Sequence, residues 1–226
     1  LEVLFKIEDP QNYFYFKHFL NFLLFFVSSI FFYKLMLNRF LNNKTALIGA
    51  LFFILSPRIY GESFFNNKDI VFLSLTTFSL YYCFKSIDKI SYKNLLIFSI
   101  FCSLATAQRI IGIFLPITFI VFYFFSVISD NKKLKDLYLI IYFVVFYIIF
   151  LILFWPALWE NSFKNIILAI SYFSNVPLAI KMLFNGNYIS NLNLPYNYIF
   201  FWILISTPIL YIVLFALGYI ETLKNL

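Results

Sequence analysis

The chain has 226 residues, of which 63% are hydrophobic, 24% aromatic and only 12% charged, with a formal net charge of +7. A soluble domain carries roughly a quarter charged residues, so this chain cannot cover a water-facing surface and is an integral membrane protein. Aromatic residues and lysines are interleaved only because both are common, which gives no nucleic-acid signature. Because the chain has one histidine and two cysteines, a metal could be bound only through carboxylates.

Apolar runs recur along the whole chain. A bilayer-spanning helix needs about 17–25 mostly apolar residues, and fewer where its ends are satisfied inside the protein. The seven runs are 16–37, 45–55, 70–84, 95–108, 110–128, 138–158 and 198–220. The second and third are short, as expected where the segment between them enters a cavity inside the protein. The sequence therefore predicts an all-α fold, a polytopic membrane bundle of about seven transmembrane helices, as a single domain over 1–226.

The segment 56–70, SPRIYGESFFNNKDI, concentrates charge between two of these apolar runs. Charges this dense cannot lie in hydrocarbon, so the segment forms a loop at the bilayer surface or in a wet cavity. We predict that the loop is part of an active site. The alternative is an ordinary polar turn with a helix cap.

Two carboxylates of this loop are candidates for chemistry. Asp69 opens the third run, where it could cap a helix, bind a metal, orient an acceptor or take a proton. Glu62 lies seven residues earlier, and two carboxylates close together could divide acid and base roles. Spacing alone does not decide between these roles.

Three cations are candidates for binding a phosphate, namely Arg58, Lys68 and Arg109. Each could instead be an interface anchor whose charged end reaches towards water. Arg109 is the most informative, because it lies between two apolar runs where an unpaired arginine is costly. If the three converge, arginine would supply bidentate contacts to a phosphate and lysine a point charge.

The distribution of lysine and arginine predicts the orientation in the membrane. With the N-terminus outside, nine basic residues fall in the inner segments: Arg39, Lys44, Lys85, Lys89, Lys93, Lys132, Lys133, Lys135 and Lys224. The outer segments, about twice as long, hold Lys6, Arg58, Lys68, Arg109, Lys164 and Lys181, with Lys17 at the border. This bias predicts that the 56–70 loop, Arg109 and the segment 155–197 share one outer face.

The segment 155–197 is the one long segment whose sequence does not predict a transmembrane helix. Trp155 and Trp159 occupy an aromatic-belt position, and Asn161-Ser162 can cap an amphipathic helix that continues to Tyr172. We predict that this helix lies on the outer surface and that an irregular, asparagine-rich loop follows it. Glu160 would cap or anchor the helix, or contact the substrate.

Four stretches resemble one family. SPRIYGESFFNNKDI is similar to the SPR-x-x-x-ESF-x-N-x-KDI signature of bacterial polyprenyl-phosphate-dependent glycosyltransferases of the GT-C class, relatives of protein O-mannosyltransferases and lipid A aminoarabinose transferases. QRIIGIFLP, WPALWENSFKN and YISNLNLPYNYIFFWILISTP resemble further segments of the family, in order and at sensible separations. The resemblance covers nearly the whole chain.

The resemblance implies a glycosyltransferase of the bacterial inner membrane, surrounded by membrane lipids. It would use a polyprenyl-phosphate-linked sugar as the donor and a lipid or glycan as the acceptor. An acceptor hydroxyl would attack C1 of the sugar, and polyprenyl phosphate would leave. Arg58, Lys68 and Arg109 would then hold the phosphate, while Asp69 and Glu62 orient the acceptor or a divalent metal. Whether a metal is needed stays open.

The chain departs from the family at its start. The principal catalytic aspartate of this class follows a first span that the chain lacks, and only Glu2, Glu8 and Asp9 remain of that region. We therefore expect a fragment without its N-terminus. A transporter or flippase would show charges at the bilayer midplane and repeat symmetry, and neither is seen in the sequence. A non-enzymatic assembly subunit would direct Arg58, Glu62, Asp69 and Arg109 to separate places.

Overall fold

The computed structural model describes residues 9–88, 91–130, 137–174 and 179–224. Some residues used in the sequence analysis lie outside this set: Glu2, Lys6, Glu8, Lys89, Lys132, Lys133 and Lys135. The chain forms two compact units, 1–171 and 172–226. Each is described by itself, and the single domain over 1–226 stays a prediction.

The first unit is built from helices. They are α1 (Pro10–Phe40), α2 (Asn43–Leu55), α3 (Pro57–Glu62), α4 (Asp69–Asp88), α5 (Tyr92–Gln108), α6 (Phe114–Asp130), α7 (Leu137–Phe154) and α8 (Ser162–Ser174), the last of which ends in the second unit. Short 3₁₀ turns, Ile110–Ile113 and Pro156–Leu158, follow α5 and α7. The predicted amphipathic segment thus forms a helix, α8.

Capping residues set the ends of α1 and the start of α2. The Asp9 side chain accepts a hydrogen bond from the Gln11 backbone N–H, and Pro10 occupies the first turn, where a missing N–H costs nothing. Leu41 ends α1 in the left-handed conformation (φ 52°). Asn42 then accepts hydrogen bonds from the first turn of α2. The chain therefore reverses within two residues, so that α2 returns along α1.

Aromatic rings and small polar residues hold α5 at the centre of the first unit. Phe98 of α5 stacks on Phe143 of α7 at 4.7 Å between centroids, and Phe119 of α6 packs 5.0 Å from both rings. All three are fully buried. The Tyr147 hydroxyl of α7 donates a hydrogen bond to Thr106 Oγ1 of α5 at 3.1 Å. These contacts fix the end of α5 that precedes Arg109.

The helix α4 packs between α5 and α1. On the α1 side, the ring of Phe31 lies 4.9 Å from that of Phe78 and 5.2 Å from that of Tyr81, both edge to face. Ser74 and Ser79 of α4 are fully buried. Small residues at such positions let membrane helices approach closely.

The helices agree with an α-helical membrane protein, although seven spans are not shown. Among the described residues, Gln11–Phe40 and Asp69–Asp88 are long and apolar enough to cross a bilayer, and Tyr198–Ser206 with Ile209–Lys224 would add one span if the pair is counted together. Shorter apolar helices are Asn43–Leu55, Ile110–Phe125 and Tyr138–Phe154. The predicted runs did become helices, but several fall short of the length that spans hydrocarbon.

The second unit contains a hairpin and two further helices. Strands β1 (Lys181–Phe184) and β2 (Asn187–Ser190) pair antiparallel and precede α9 (Tyr198–Ser206) and α10 (Ile209–Lys224). The two-residue turn is Asn185-Gly186, with φ of 48° and 78°, the dipeptide most favoured in such hairpins. The prediction of an irregular loop is wrong here, because Asn-Gly closes a regular ladder.

A sharp bend separates α9 from α10. Their axes differ by 112° across Thr207 and Pro208. Proline has no N–H to continue the hydrogen bonds of α9 and disfavours a helical conformation in the residue before it. The predicted span 198–220 is therefore not one continuous helix.

Candidate functional site

The 56–70 segment is partly helical rather than an open loop. Pro57 begins α3, a position at which proline suits a helix start. One turn later, Arg58 Nε donates to Glu62 Oε1 at 3.1 Å, an ion pair between neighbouring turns. The short helix thus presents an arginine and a glutamate side by side.

The turn after α3 is anchored to α1. Ser63 is fully buried, and its backbone carbonyl accepts a hydrogen bond from Asn21 Nδ2 of α1 at 2.7 Å. Phe64 stacks on Phe22 of α1 at 4.9 Å with nearly parallel rings. A polar contact and an apolar contact therefore hold this turn on the long first helix.

Replacing Asn21 by leucine should lower the free energy of unfolding by about 1–3 kcal/mol, because the buried Ser63 carbonyl would lose its hydrogen-bond donor. Asn12→Leu, on the same helix, serves as the control. It loses an exposed hydrogen bond of 3.1 Å to the Asp9 side chain instead of a buried one, and should change stability by less than about 0.5 kcal/mol. The midpoint of thermal unfolding in detergent measures both. Equal midpoints for the two variants would show that the anchor contributes nothing.

Asn66 joins the two candidate carboxylates. Its amide nitrogen donates to Glu62 Oε2 at 2.9 Å and to Asp69 Oδ2 at 3.0 Å. Its amide oxygen accepts from the backbone N–H of Lys68 at 3.2 Å and of Asp69 at 2.9 Å. Asn66, rather than Asp69, therefore caps the start of α4, and this leaves the Asp69 carboxylate available for a side-chain partner.

That partner comes from the end of α5. Arg109 follows the last helical residue in an extended conformation (φ −146°, ψ 126°), and its Nη2 forms an ion pair with Asp69 Oδ1. The neighbouring Gln108 side chain donates to the Asn67 carbonyl at 3.2 Å. The C-terminal end of α5 therefore makes two side-chain contacts with the 56–70 segment, about forty residues earlier in the chain.

Gly112 allows the turn that carries Arg109 to lie against α5. Its N–H donates to the Arg109 carbonyl at 2.8 Å. A Cβ at this position would lie 2.7 Å from two backbone atoms, the Ala105 carbonyl carbon and the Thr106 nitrogen. No side chain fits there, so the position of Arg109 depends on a glycine.

The result is one chain of contacts, which we call the charge network: Arg58, Glu62, Asn66, Asp69 and Arg109. It contains two cations and two carboxylates, joined by one amide. The side chains remain accessible, at 65% exposed for Arg58, 27% for Glu62, 58% for Asp69 and 38% for Arg109. The network can therefore meet a ligand without any unfolding.

The charge network borders a cleft of about 340 Å³. Arg58, Glu62 and Asp69 line it together with Ile59, Ile70, Phe72, Leu73 and Thr76. The rim of the cleft is charged and the rest is mainly apolar. A ligand with an anionic head and a hydrocarbon chain matches this combination.

The two carboxylates are bound to other side chains of the charge network. Each of the four carboxylate oxygens of Glu62 and Asp69 accepts a hydrogen bond from an arginine or from Asn66. Among the described residues there is also no group of three histidine, cysteine or acidic side chains that could hold a metal. We therefore derive no step through a divalent metal.

Three predicted site residues do not line the cleft. Arg109 reaches it only through its ion pair with Asp69, and Lys68 and Glu160 lie apart from the lining. Lys68 is exposed and joins the site through its backbone N–H. Glu160 is exposed in the turn before α8. The sequence analysis missed Asn66 and Gln108. The sequence signal for a site role was weak at both positions. Asparagine commonly caps helices, and a glutamine before Arg109 has no distinctive spacing.

Changing Asn66 to aspartate should disrupt the charge network while keeping the helix cap, since aspartate also accepts hydrogen bonds from the first turn. The variant removes the bridging donor and adds a third negative charge beside two carboxylates. We expect the free energy of unfolding to fall by about 1 kcal/mol. Thermal unfolding of Asn66→Ser, which loses the bridge without the added charge, separates the two effects. A variant Asn66→Asp as stable as the unchanged protein would contradict the bridge.

A family model described as dolichyl-phosphate-mannose-protein mannosyltransferase matches residues 17–159. This is well over half of the chain, and it includes every residue of the charge network. The chain belongs to this family. It is a membrane family of GT-C glycosyltransferases, so the resemblance inferred from the sequence is confirmed. A search of curated proteins and a search of solved structures each found no match.

Membership supports a transferase activity for the chain. The match ends at Trp159, so Glu160 and the second unit lie beyond it. All five residues of the charge network lie within the matched range and three of them line the cleft. The network is therefore the candidate active site.

Proposed function

We propose that the protein transfers a sugar from a polyprenyl-phosphate donor to a hydroxyl of a lipid or glycan acceptor at the periplasmic face of the bacterial inner membrane. The observation that supports this most is the charge network beside an apolar cleft in a glycosyltransferase family. A lipid-linked sugar phosphate has an anionic head and a hydrocarbon tail. Those are the two features that the cleft could accommodate.

At C1 of the sugar, the reaction makes one bond and breaks one. The acceptor oxygen bonds to C1 of the sugar, the bond from C1 to the phosphate oxygen breaks, and the acceptor proton passes to a base. Negative charge grows on the departing phosphate. Fixed cations that meet this charge lower the barrier, because they stabilise the transition state more than the bound donor.

Arg58 and Arg109 are the cations best suited to that role. Each guanidinium carries five N–H donors, whereas Arg58 uses only Nε, towards Glu62, in the part of the chain that the structure describes. Remaining donors on a planar fork match the oxygens of a phosphate. We assign Lys68 an outer electrostatic contribution, because its flexible ammonium is exposed nearby.

Glu62 and Asp69 act as orienting residues in this proposal. Their oxygens already accept hydrogen bonds from cations and from Asn66, which suits them to holding Arg58 and Arg109 in place and to aligning an acceptor hydroxyl. Glu160 would contribute at the outer surface, beside the start of α8. We assign the proton acceptor to neither of the two network carboxylates.

The proposed function is tested with the full-length protein and a polyprenyl-phosphate-linked sugar in detergent. Acceptor-dependent release of polyprenyl phosphate is the expected result. A transporter or an assembly subunit would leave the donor intact. An intact donor across a panel of sugars and acceptors would therefore overturn the proposal.

The proposed orientation is tested by labelling single cysteines. Gly61→Cys and Glu160→Cys should react with an impermeant thiol reagent from the periplasmic side, whereas Lys44→Cys and Lys93→Cys should not. Background labelling of the native cysteines should be low, because Cys83 and Cys102 are buried. Labelling of positions 61 and 160 from opposite sides would reject a shared outer face.

A further inference from the structure

A second cleft, of about 430 Å³, lies at the other end of α1 and α4. Both helices run away from the charge network, and the 20 residues of α4 span about 30 Å. The cleft is lined by Leu35, Met36, Asn38, Arg39, Phe84 and Asp88. None of these residues belongs to the charge network or to the first cleft.

The second cleft combines opposite charges with an apolar wall. Arg39 and Asp88 are both exposed, and neither forms an ion pair in the part of the chain that the structure describes. Leu35, Met36 and Phe84 provide apolar surface beside them. A cation and an anion that share a cleft without pairing leave room for a ligand bearing both complementary charges.

Nearby charges strengthen the attraction for phosphate. Lys34 and Lys85 flank the cleft residues in the chain, with their ammonium groups 5.3 Å from the Phe31 ring and 5.7 Å from the Tyr81 ring. They therefore stay close to their own helices and add positive potential. In other membrane proteins, basic pockets between helices bind the phosphates of anionic lipid headgroups.

We propose that the second cleft binds one zwitterionic aminophospholipid of the phosphatidylethanolamine type. Its phosphate contacts Arg39 and Asn38, its primary ammonium contacts Asp88, and an acyl chain lies along Leu35, Met36 and Phe84. Asp88 makes this headgroup fit better than a purely anionic one, since a lipid without an ammonium leaves the carboxylate facing a phosphate. The site is independent of the proposed sugar transfer.

Titration of the detergent-purified protein with dioleoyl lipids, followed by native mass spectrometry, tests this site. The unchanged protein should bind phosphatidylethanolamine about fivefold or more tightly than phosphatidylcholine, whose methylated ammonium cannot donate hydrogen bonds, and more tightly than phosphatidylglycerol. Arg39→Gln should weaken phosphatidylethanolamine binding about fivefold, the effect of one cation near a headgroup. Lys93→Gln, the same charge change elsewhere at this end, should leave it unchanged.

Asp88→Asn distinguishes a zwitterion site from a plain anion site. This variant should lose the preference for phosphatidylethanolamine over phosphatidylcholine and bind phosphatidylglycerol more tightly than the unchanged protein does. Thermal unfolding confirms that both cleft variants are folded. The proposal is overturned if the unchanged protein prefers phosphatidylglycerol, if it shows no headgroup preference, or if Asp88→Asn leaves the preference intact.

Discussion

Replacing Arg109 by alanine should lower sugar transfer by the full-length protein about 100-fold or more, the usual cost of removing one fixed donor from a developing oxyanion. Asp69→Asn should produce a similar loss, because it removes the carboxylate that holds Arg109. The ion pair is substantially exposed, so we expect its loss to cost at most about 1 kcal/mol of stability. Initial rates of polyprenyl phosphate release measure the effect.

Two further variants make the Arg109 result specific. Lys44→Ala removes an exposed cation from the start of α2, outside both clefts, and should leave the rate unchanged. Arg109→Lys keeps the charge but not the planar fork, and should recover only part of the activity. If the Arg109→Ala variant transferred sugar as fast as the Lys44→Ala variant, the assignment of Arg109 to the active site would be wrong.

Replacing Gly112 by alanine should be more disruptive than the same change at any of the other four glycines. The added Cβ would lie 2.7 Å from backbone atoms of Ala105 and Thr106, which cannot rotate aside as a side chain could. Such overpacking costs about 1–3 kcal/mol or more. The turn would have to move, and Arg109 with it, so both the unfolding midpoint and sugar transfer should fall.

Gly218→Ala is the matched control for this substitution. Gly218 lies within α10, and nothing lies within 4 Å of the position that its Cβ would take. Alanine is the better helix former by about 0.5–1 kcal/mol, so this variant should be as stable as the unchanged protein or slightly more so. Equal midpoints for the two alanine variants would contradict the close approach at Gly112.

The convergence of the site was predictable because it depends on the membrane. Charges at Arg58, Glu62 and Asp69 cannot lie in hydrocarbon, and the distribution of lysines predicted that Arg109 lies on the same side. In the structure these four side chains belong to one network rather than to separate places. The side-chain partners were not predictable, because Asn66 could equally have capped a helix without touching either carboxylate.

The number of spans was harder to predict for a physical reason. Apolar composition marks a segment as membrane-compatible, but it does not fix where a helix bends. Pro208 breaks the last run into α9 and α10, and although a proline inside an apolar run indicates a break, the sequence does not fix its angle of 112°. The Asn185-Gly186 hairpin, by contrast, had a clear sequence signal that the sequence analysis did not use.

Binding of polyprenyl phosphate is the most direct measurement of the central claim that the charge network receives a lipid-linked phosphate. Polyprenyl phosphate should raise the unfolding midpoint of the purified protein, because a ligand that binds only the folded state stabilises it. The shift should be absent with the uncharged polyprenol and much reduced in Arg58→Ala and Arg109→Ala, but intact in Lys44→Ala. An equal shift with polyprenol, or an undiminished shift in both arginine variants, would contradict the account.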